Sequence, residues 1–378
     1  MEILEKIEVI AADDFKRLAS QADSNKLFPK EILDFFEPEE LELIVHELSL
    51  KKMLSFEDRA KFFFYAGKYC ANVRNYFLVS LGMVGGALTR FASRNQKKQY
   101  LKKIYRDKAI CSLAISEPSV GSDISSIKTQ YQIDTENYLI NGKKKWITLG
   151  GLSDFFLLAA NGIDGLQLFI VDAQTPGISV SEIDDLMCNR GSHICELTLH
   201  NVRVPRTNLL GEDVAVSSNA LKQILLTGRC IAAVSSVAMA EAALDEAVLY
   251  AKKRLQFGKR IFEHQLIKKK LGDSKTAIAA GKALSVESFR TEFNGTGEAV
   301  NNAAMAKYFN SNVVERVTND CLTAVGAISL TEELELSRYS REAKGFQFIE
   351  GTSEVLVQLI ANGALMGYPK LWKQKDVE

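Results

Sequence analysis

The apolar residues of this chain change period twice, near residues 109 and 216. Before 109, EELELIVHELSL, FEDRAKFFFYAGKYCANV and NYFLVSLGMVGGALTRFAS carry apolar residues at steps of three and four, the spacing of one helix face. From 109 the segments AICSLAIS, TQYQID, NYLINGKKKWIT, DFFLLAA, LQLFIVDA, GISVSEI and ICELTLHNVRVP are short, β-branched and aromatic. Asn141-Gly142, Asn161-Gly162 and Pro176-Gly177 punctuate them as turn signals. The helical period returns over 216–252, 261–290, 297–325 and 351–366. This order predicts an α+β chain: an N-terminal all-α domain (1–108), a middle antiparallel β-barrel or sandwich (109–215) and a C-terminal four-helix bundle (216–378). Gly82, Gly85 and Gly86 follow no strand and form no G-x-G-x-x-G, so they read as close helix packing, not a phosphate loop.

Charge narrows the function classes. The 378 residues carry 47 basic and 47 acidic side chains, so the basic excess of a nucleic-acid binder is missing, and zero net charge permits self-association. Six cysteines without C-x-x-C spacing and four histidines make neither a zinc pattern nor a disulfide scaffold, so no metal and a cytoplasmic location are expected. The charged MEILEKIEVIAADDF start does not read as a signal peptide, and no run of about 18 uncharged apolar residues predicts a membrane span.

The chemistry sits in loops. In GFQFIEGTSEVLVQLIANGAL (345–365), Glu350 closes an aromatic run and stands just before a helix. It reads either as an acid complementing the helix dipole or as a carboxylate held in a poorly solvated cleft as a base. Ser116-Glu117-Pro118-Ser119-Val120-Gly121-Ser122 follows a strand and offers hydroxyls and amides to a phosphate or a polar ring edge, or is an ordinary polar turn. NGKKKWIT reads as an Asn-Gly hairpin ending in Trp146, Ile147 and Thr148, with the tryptophan either on a ligand or in the core. KKRLQFGKRIFEHQ places Arg254, Phe257, Gly258, His264 and Gln265 at a helix break, suited to an anion or to surface ion pairing.

None of these signals is specific alone, but their order is. E-P-x-x-G-S-D, N-G-x-K-x-W-I-T, R-x-x-F-G-x-x-x-x-x-H-Q and E-G-T-S, on an α–β–α chain of this length, resemble the acyl-CoA dehydrogenase flavoprotein family over roughly residues 15–366. The resemblance implies FAD between the β domain and the bundle, partly held by a neighbouring subunit of a homodimer or homotetramer. It places Leu113, Ile115, Ser116, Gly121 and Ser122 in the loop at the flavin ring and the start of the thioester. Trp146, Ile147 and Thr148 fall beside the ring. Arg254, Gln256, Phe257, His264 and Gln265 match the pyrophosphate and adenosine contacts, Thr323 and Gly326 are implied as further cofactor-binding residues, and Thr352, Ser353 and Glu354 match the turn under the adenine side. Glu350 falls on the catalytic base, Gly351 and Ser122 beside the substrate, and Arg229 near both. Members that carry their base on the long bundle helix would have it at Gly228, which has no carboxylate.

The departures cluster at the thioester end. Leu226 replaces an acid that usually touches pantetheine, TAVGAIS (323–329) replaces a Q-x-x-G-G-x-G run, and Asn362 stands where an arginine is usual. A Gly-rich turn usual between Leu50 and Ala60 is missing. NVRNYFLVSLGM, CNRGSHICELTLHNVRVP and GFQFIEGTSEVL look like the acyl-carrier-protein-linked dehydrogenases of polyketide and nonribosomal peptide pathways, which make hydroxymalonyl-, methoxymalonyl- or aminomalonyl-type extender units. The expectation is therefore an FAD-dependent oxidation of a short carrier-bound acyl group, with electron-transfer flavoprotein or oxygen as acceptor. Desaturation of an acyl-CoA or aminoacyl-carrier thioester, or an inactive flavin-binding scaffold, are the alternatives.

Overall fold

The computed structural model describes residues 3–50 and 54–365, so residues 366–378 of the predicted bundle and part of the 50–60 stretch lie outside the described residues. The N-terminal stretch is helical throughout. α1 (Ile3–Ile10) runs through a π-turn into α2 (Lys16–Asn25), followed by α3 (Pro38–Leu50) and α4 (Phe56–Gly67). Ser55 and Asp58 form a reciprocal capping box at the start of α4. α5 (Ala71–Asn75), a π-helical stretch (Tyr76–Gly85) and α6 (Gly86–Phe91) make one continuous helix, buried from Ala71 to Thr89. Its glycines serve packing: a Cβ at Gly82 would sit 2.7 Å from Ile231 Cδ1. α7 (Arg94–Gln96) and α8 (Lys102–Arg106) complete the stretch.

Seven strands follow, one for each segment read from the sequence: β1 (Cys111–Ala114), β2 (Gln130–Asp134), β3 (Asn137–Ile147), β4 (Phe155–Gly162), β5 (Gly165–Asp172), β6 (Ile178–Glu182) and β7 (Cys195–Pro205). They form one sheet in the order β1-β4-β2-β3-β7-β6, with β5 on β4. The sheet is mixed, not antiparallel as predicted. β1 runs parallel to β4, with Cys111 opposite Phe155, and β2 meets β4 in a single parallel register at Gln130–Asn161. The intervening β2–β3 hairpin supplies the long connection that a parallel pair needs. Asn141-Gly142 is not a hairpin either. It lies inside β3 at a bulge against β7, where Gly142 (φ 153°) packs on Thr129, and the β2–β3 reversal is at Thr135-Glu136.

The C-terminal stretch holds α9 (Val214–Ala251), α10 (Gln265–Asn294), α11 (Ala299–Val325), α12 (Leu336–Gly345) and α13 (Ser353–Leu365). Asp213 caps α9 by accepting from Val216 N–H at 3.0 Å. Among the described residues α9 alone is long and apolar enough to cross a membrane, but 83% of its most apolar window is buried inside the fold, as in a core helix. One apolar cluster joins Ile7, Phe77, Phe155, Ile231 and Ala303, side chains from all three stretches.

Polar contacts tie the same three stretches together. Arg74 of α5 donates to Asn189 Oδ1 in the β6–β7 connection, and Glu342 of α12 accepts from Asn189 N–H at 2.8 Å. The Arg74 guanidinium lies 4.6 Å from the Phe346 ring, just ahead of the candidate base.

Candidate active site

α12 ends at Gly345, and the chain turns through Phe346–Thr352 before α13. This turn is pinned to α11: Ser311 Oγ donates to Phe346 O at 2.9 Å, Gln347 Nε2 donates to Ser311 O at 3.1 Å, and Lys307 Nζ donates to Gly351 O at 2.7 Å. Ser353 Oγ closes it on Gln347 at 2.6 Å, and Thr352 Oγ1 accepts from Val355 N–H, so Thr352 is the helix cap. Glu350 (φ 55°) and Gly351 (φ 95°) are both left-handed. That conformation costs a non-glycine residue about 1–2 kcal/mol, which the pinned turn must offset.

The turn delivers the Glu350 carboxyl onto α9 at Gly228. A Cβ at 228 would lie 2.8 Å from Glu350 Cδ and 2.9 Å from Met83 Cε, so the missing side chain is the space the carboxyl uses. The two positions at which the resemblance would place a base, 350 and 228, therefore lie side by side. Glu350 Oε2 is buried and, among the described residues, has no hydrogen-bond partner. Burial pushes this carboxyl up to about 7, against the pull of Arg229 and Lys307. Arg229 Nε reaches Glu350 O at 3.4 Å, and burial lowers its own pKa. Among the described residues the Glu350 N–H has no acceptor. The arrangement is a poorly solvated base poised near neutrality, with an adjacent free amide donor for an oxyanion.

A second cluster forms where β1 and β3 end. Ser112 Oγ donates to Thr148 O at 2.7 Å, and Lys145 N–H donates to Ser116 O at 2.9 Å, so Leu113–Ser122 lies beside Trp146–Thr148. Ile147 is buried and Trp146 is not: its ring is 54% exposed, and its φ of 65° is rare for an aromatic residue. Gly121 and Ser122 are exposed at the rim. Beneath the loop a buried ion pair was not legible in the sequence. Lys144 Nζ donates to Glu117 Oε1 at 2.9 Å and to Ile115 O at 3.0 Å, while Glu117 also accepts the N–H groups of Lys128 and Thr129, each at 2.8 Å. These bonds hold Glu117 below the ordinary carboxylate range although burial opposes it, and burial lowers Lys144 to about 8.

The third cluster is at one end of the bundle. A two-residue ladder, Leu255–Gln256 on Lys259–Arg260, carries Phe257 (φ 54°, 91% exposed) and Gly258 at its tip, and His264 Nε2 lies 3.3 Å from Gln256 O. Arg254 and Gln265 are exposed beside it. Lys270 of α10 donates to Thr323 at 2.6 Å, bringing Thr323 and the left-handed Gly326 to the same end. Thr323 is sixteen residues from Lys307 on α11, which at 1.5 Å per residue is roughly 24 Å. The predicted flavin-binding residues thus fall into separate groups within one chain. The exposed faces of Trp146 and Phe257 and the open backbone at Gly121, Gly258 and Gly326, where a Cβ would meet nothing within 4 Å, fit an aromatic dinucleotide such as FAD.

Sequence reasoning missed Lys307, which is fully buried. Its signal was present: it is the one charged side chain on the stripe Ala299, Ala303, Ala304, Asn310, Ser311, Val314 and Val317, all buried.

Residues 112–202 match the acyl-CoA dehydrogenase middle domain and residues 218–365 the acyl-CoA dehydrogenase C-terminal domain. The chain is 33% identical to the caffeyl-CoA reductase-Etf complex subunit CarC of Acetobacterium woodii over 75% of this chain and 76% of that protein. The structure of butyryl-CoA dehydrogenase from Megasphaera elsdenii superposes with a TM-score of 0.87 at 28% identity, covering 96% of this chain and 97% of that one. The prolyl acyl carrier protein oxidase AnaB superposes with a TM-score of 0.85 at 26% identity, covering 97% and 98%.

Proposed function

The chain belongs to the acyl-CoA dehydrogenase family, and from that premise we propose that it oxidises a short acyl group held as a thioester on an acyl carrier protein. Members of the family are FAD-dependent oxidoreductases that act on acyl thioesters. The observation that carries the proposal is the enclosed Glu350 Oε2 over Gly228, without a hydrogen-bond partner among the described residues. Trp146, Thr148 and the Leu113–Ser122 loop would hold the ring end of FAD, and Arg254, Gln256, Phe257, His264 and Gln265 would hold the phosphate and adenosine end. FAD, when bound, supplies the hydride acceptor.

Glu350 takes the proton. With its pKa raised by burial to about 7, it reaches both its acid and its base form near neutral pH, and its basicity is well above that of a solvated carboxylate. The Glu350 N–H would stabilise the thioester oxygen as negative charge develops, and Arg229, bonded to Glu350 O, keeps the turn on α9. In the carrier-bound extender-unit reading the proton comes from an aldehyde hydrate, and the acid product is of the malonyl type. Leu226 in place of an acid and the likeness to a carrier-protein oxidase support a carrier over CoA. Desaturation of a CoA thioester is the second reading, favoured by the likeness to butyryl-CoA dehydrogenase. The likeness to a subunit of an Etf complex supports an electron-transferring flavoprotein as acceptor, and the likeness to an oxidase supports oxygen. The roughly 24 Å of α11 between Lys307, which holds the base turn, and Thr323 supports a homo-oligomer in which a neighbour completes each flavin site; a single-chain mass for the flavin-loaded protein by light scattering would remove this part. Six unpaired cysteines, five of them buried, fit a cytoplasmic setting.

One experiment separates these readings. The same acyl group is offered on a carrier protein and on CoA, with flavin bleaching and intact mass followed together. Loss of two hydrogens marks desaturation, and gain of one oxygen marks aldehyde-to-acid oxidation. Equal rates on both thioesters would end the carrier reading. Glu350→Gln should bind flavin normally and lose about 10²–10⁴-fold in turnover.

A further inference from the structure

A lysine is costly to bury, and Lys307 has no exposed surface. It rises from α11 among Ala303, Ala304 and Ala306, and the partner its ammonium is given is the carbonyl of Gly351 at 2.7 Å. One neutral carbonyl does not compensate an ammonium removed from water. A negative charge nearby does, and the charges acting on Lys307 are the Glu350 carboxylate, the more distant Glu354 and, opposing them, Arg229. Seen from Glu350, the cations facing it are Arg229 of α9 and Lys307 of α11, while Met83 beside it is neutral. The base turn therefore sits between a buried and a half-buried cation that engage consecutive carbonyls: Lys307 at Gly351 O and Arg229 at Glu350 O. The Lys307 bond is the shorter by 0.7 Å, and it falls on Gly351, the second of the two left-handed residues of the turn.

We infer that Lys307 is the positioning residue of the base: its ammonium locks the left-handed Glu350–Gly351 turn and favours the carboxylate in its ionised, proton-accepting form. The inference rests on Glu350 being the base and adds to it a reason why so enclosed an acid is still ionised at neutral pH. Burial drives the two groups toward each other, Glu350 up to about 7 and Lys307 down to about 8. Lys307 is held charged chiefly by Glu350, and Glu350 by Arg229 and then Lys307, so the titrations of the two groups are linked. When Glu350 accepts a proton, Lys307 loses its countercharge, which favours passing that proton on once product leaves.

The test reads Glu350 directly. Holoenzyme labelled with ¹³C-glutamate is titrated by infrared difference spectroscopy, and the carboxyl band is assigned by its loss in Glu350→Gln. Lys307→Met removes both bond and charge; Lys307→Gln keeps a donor for the Gly351 carbonyl and removes only the charge; Lys307→Arg keeps a charge. The expected result is a Glu350 midpoint raised by about one unit, a tenfold gain in proton affinity, in both the Met and Gln variants, with Arg near wild type. The acid limb of kcat/KM should move with it, lowering the rate at pH 7 by about fivefold in the Gln variant. A lysine acting only as a structural pin would leave the Gln midpoint at the wild-type value, and that result overturns the inference. If the Met variant does not retain flavin, the Gln variant alone decides. If Glu350→Gln instead keeps full turnover while the midpoint still moves with Lys307, the base assignment fails and the coupling stands.

Discussion

At the scale of single residues, the site depends on what is left out at position 228. Gly228→Ala places a methyl group where the Glu350 carboxyl and Met83 already meet, so the carboxyl must shift. A displacement of about 1 Å can cost on the order of 10²-fold, and this loss is expected in kcat with flavin content unchanged. An alanine variant with wild-type turnover would show that the carboxyl lies elsewhere in the working enzyme. The same carboxyl gives a pH signature. Its folded pKa of about 7 stands above its ordinary value near 4.5, so it stabilises the fold when protonated and loses that contribution as pH rises toward 7. Glu350→Gln should therefore gain on wild type between pH 5 and pH 8, by about 1–3 °C in Tm. An identical difference at both pH values would contradict the enclosed carboxyl. Glu350 could be found in the sequence because E-G-T-S stands in a recognisable order of motifs. Lys307 was easier to pass over, because a lysine within AAMAKYF reads as one more solvated charge until the stripe it shares with Ala303, Ala304, Asn310 and Val314 is traced.

At the scale of elements, the strand segments were legible and their partners were not. Alternation and turn residues mark all seven strands, yet nothing in CSLA says that it lies parallel to FFLL, because that pairing depends on where the β2–β3 hairpin folds back. Asn141-Gly142 misled for a related reason: a glycine needed for contact with Thr129 inside a strand carries the same letters as a hairpin turn. α12 was missed because LSRYSREAKG is polar, and its buried side chains are arginine, tyrosine and glutamate as well as leucine. The buried pair Lys144–Glu117 belongs to this scale, since it fastens the β1 loop to β3. Glu117→Gln leaves a buried ammonium without its counterion, and breaking such a pair costs about 3–5 kcal/mol. The expected outcome is a lowered Tm together with weaker flavin retention, measured by released FAD after gel filtration. Retention at the wild-type level would mean that the loop holds its shape without the pair.

At the scale of the whole molecule, the three stretches that the sequence separates by period share one interior. The cluster joining Ile7, Phe155 and Ala303, and the bonds among Arg74, Asn189 and Glu342, cross every boundary that the changes of period suggest. A boundary of period is therefore not a boundary of stability. The continuous core has a consequence for anyone who cuts or heats the chain. A segment spanning only the sheet would carry Phe155, Leu157 and Ile170 into water, because those side chains face the helices and not the sheet's own interior cluster. Such a fragment should be recovered from inclusion bodies. In scanning calorimetry the intact holoprotein should give one endotherm, the three stretches melting together. Two resolved peaks would show that the middle stretch can melt while the helices around it stay folded.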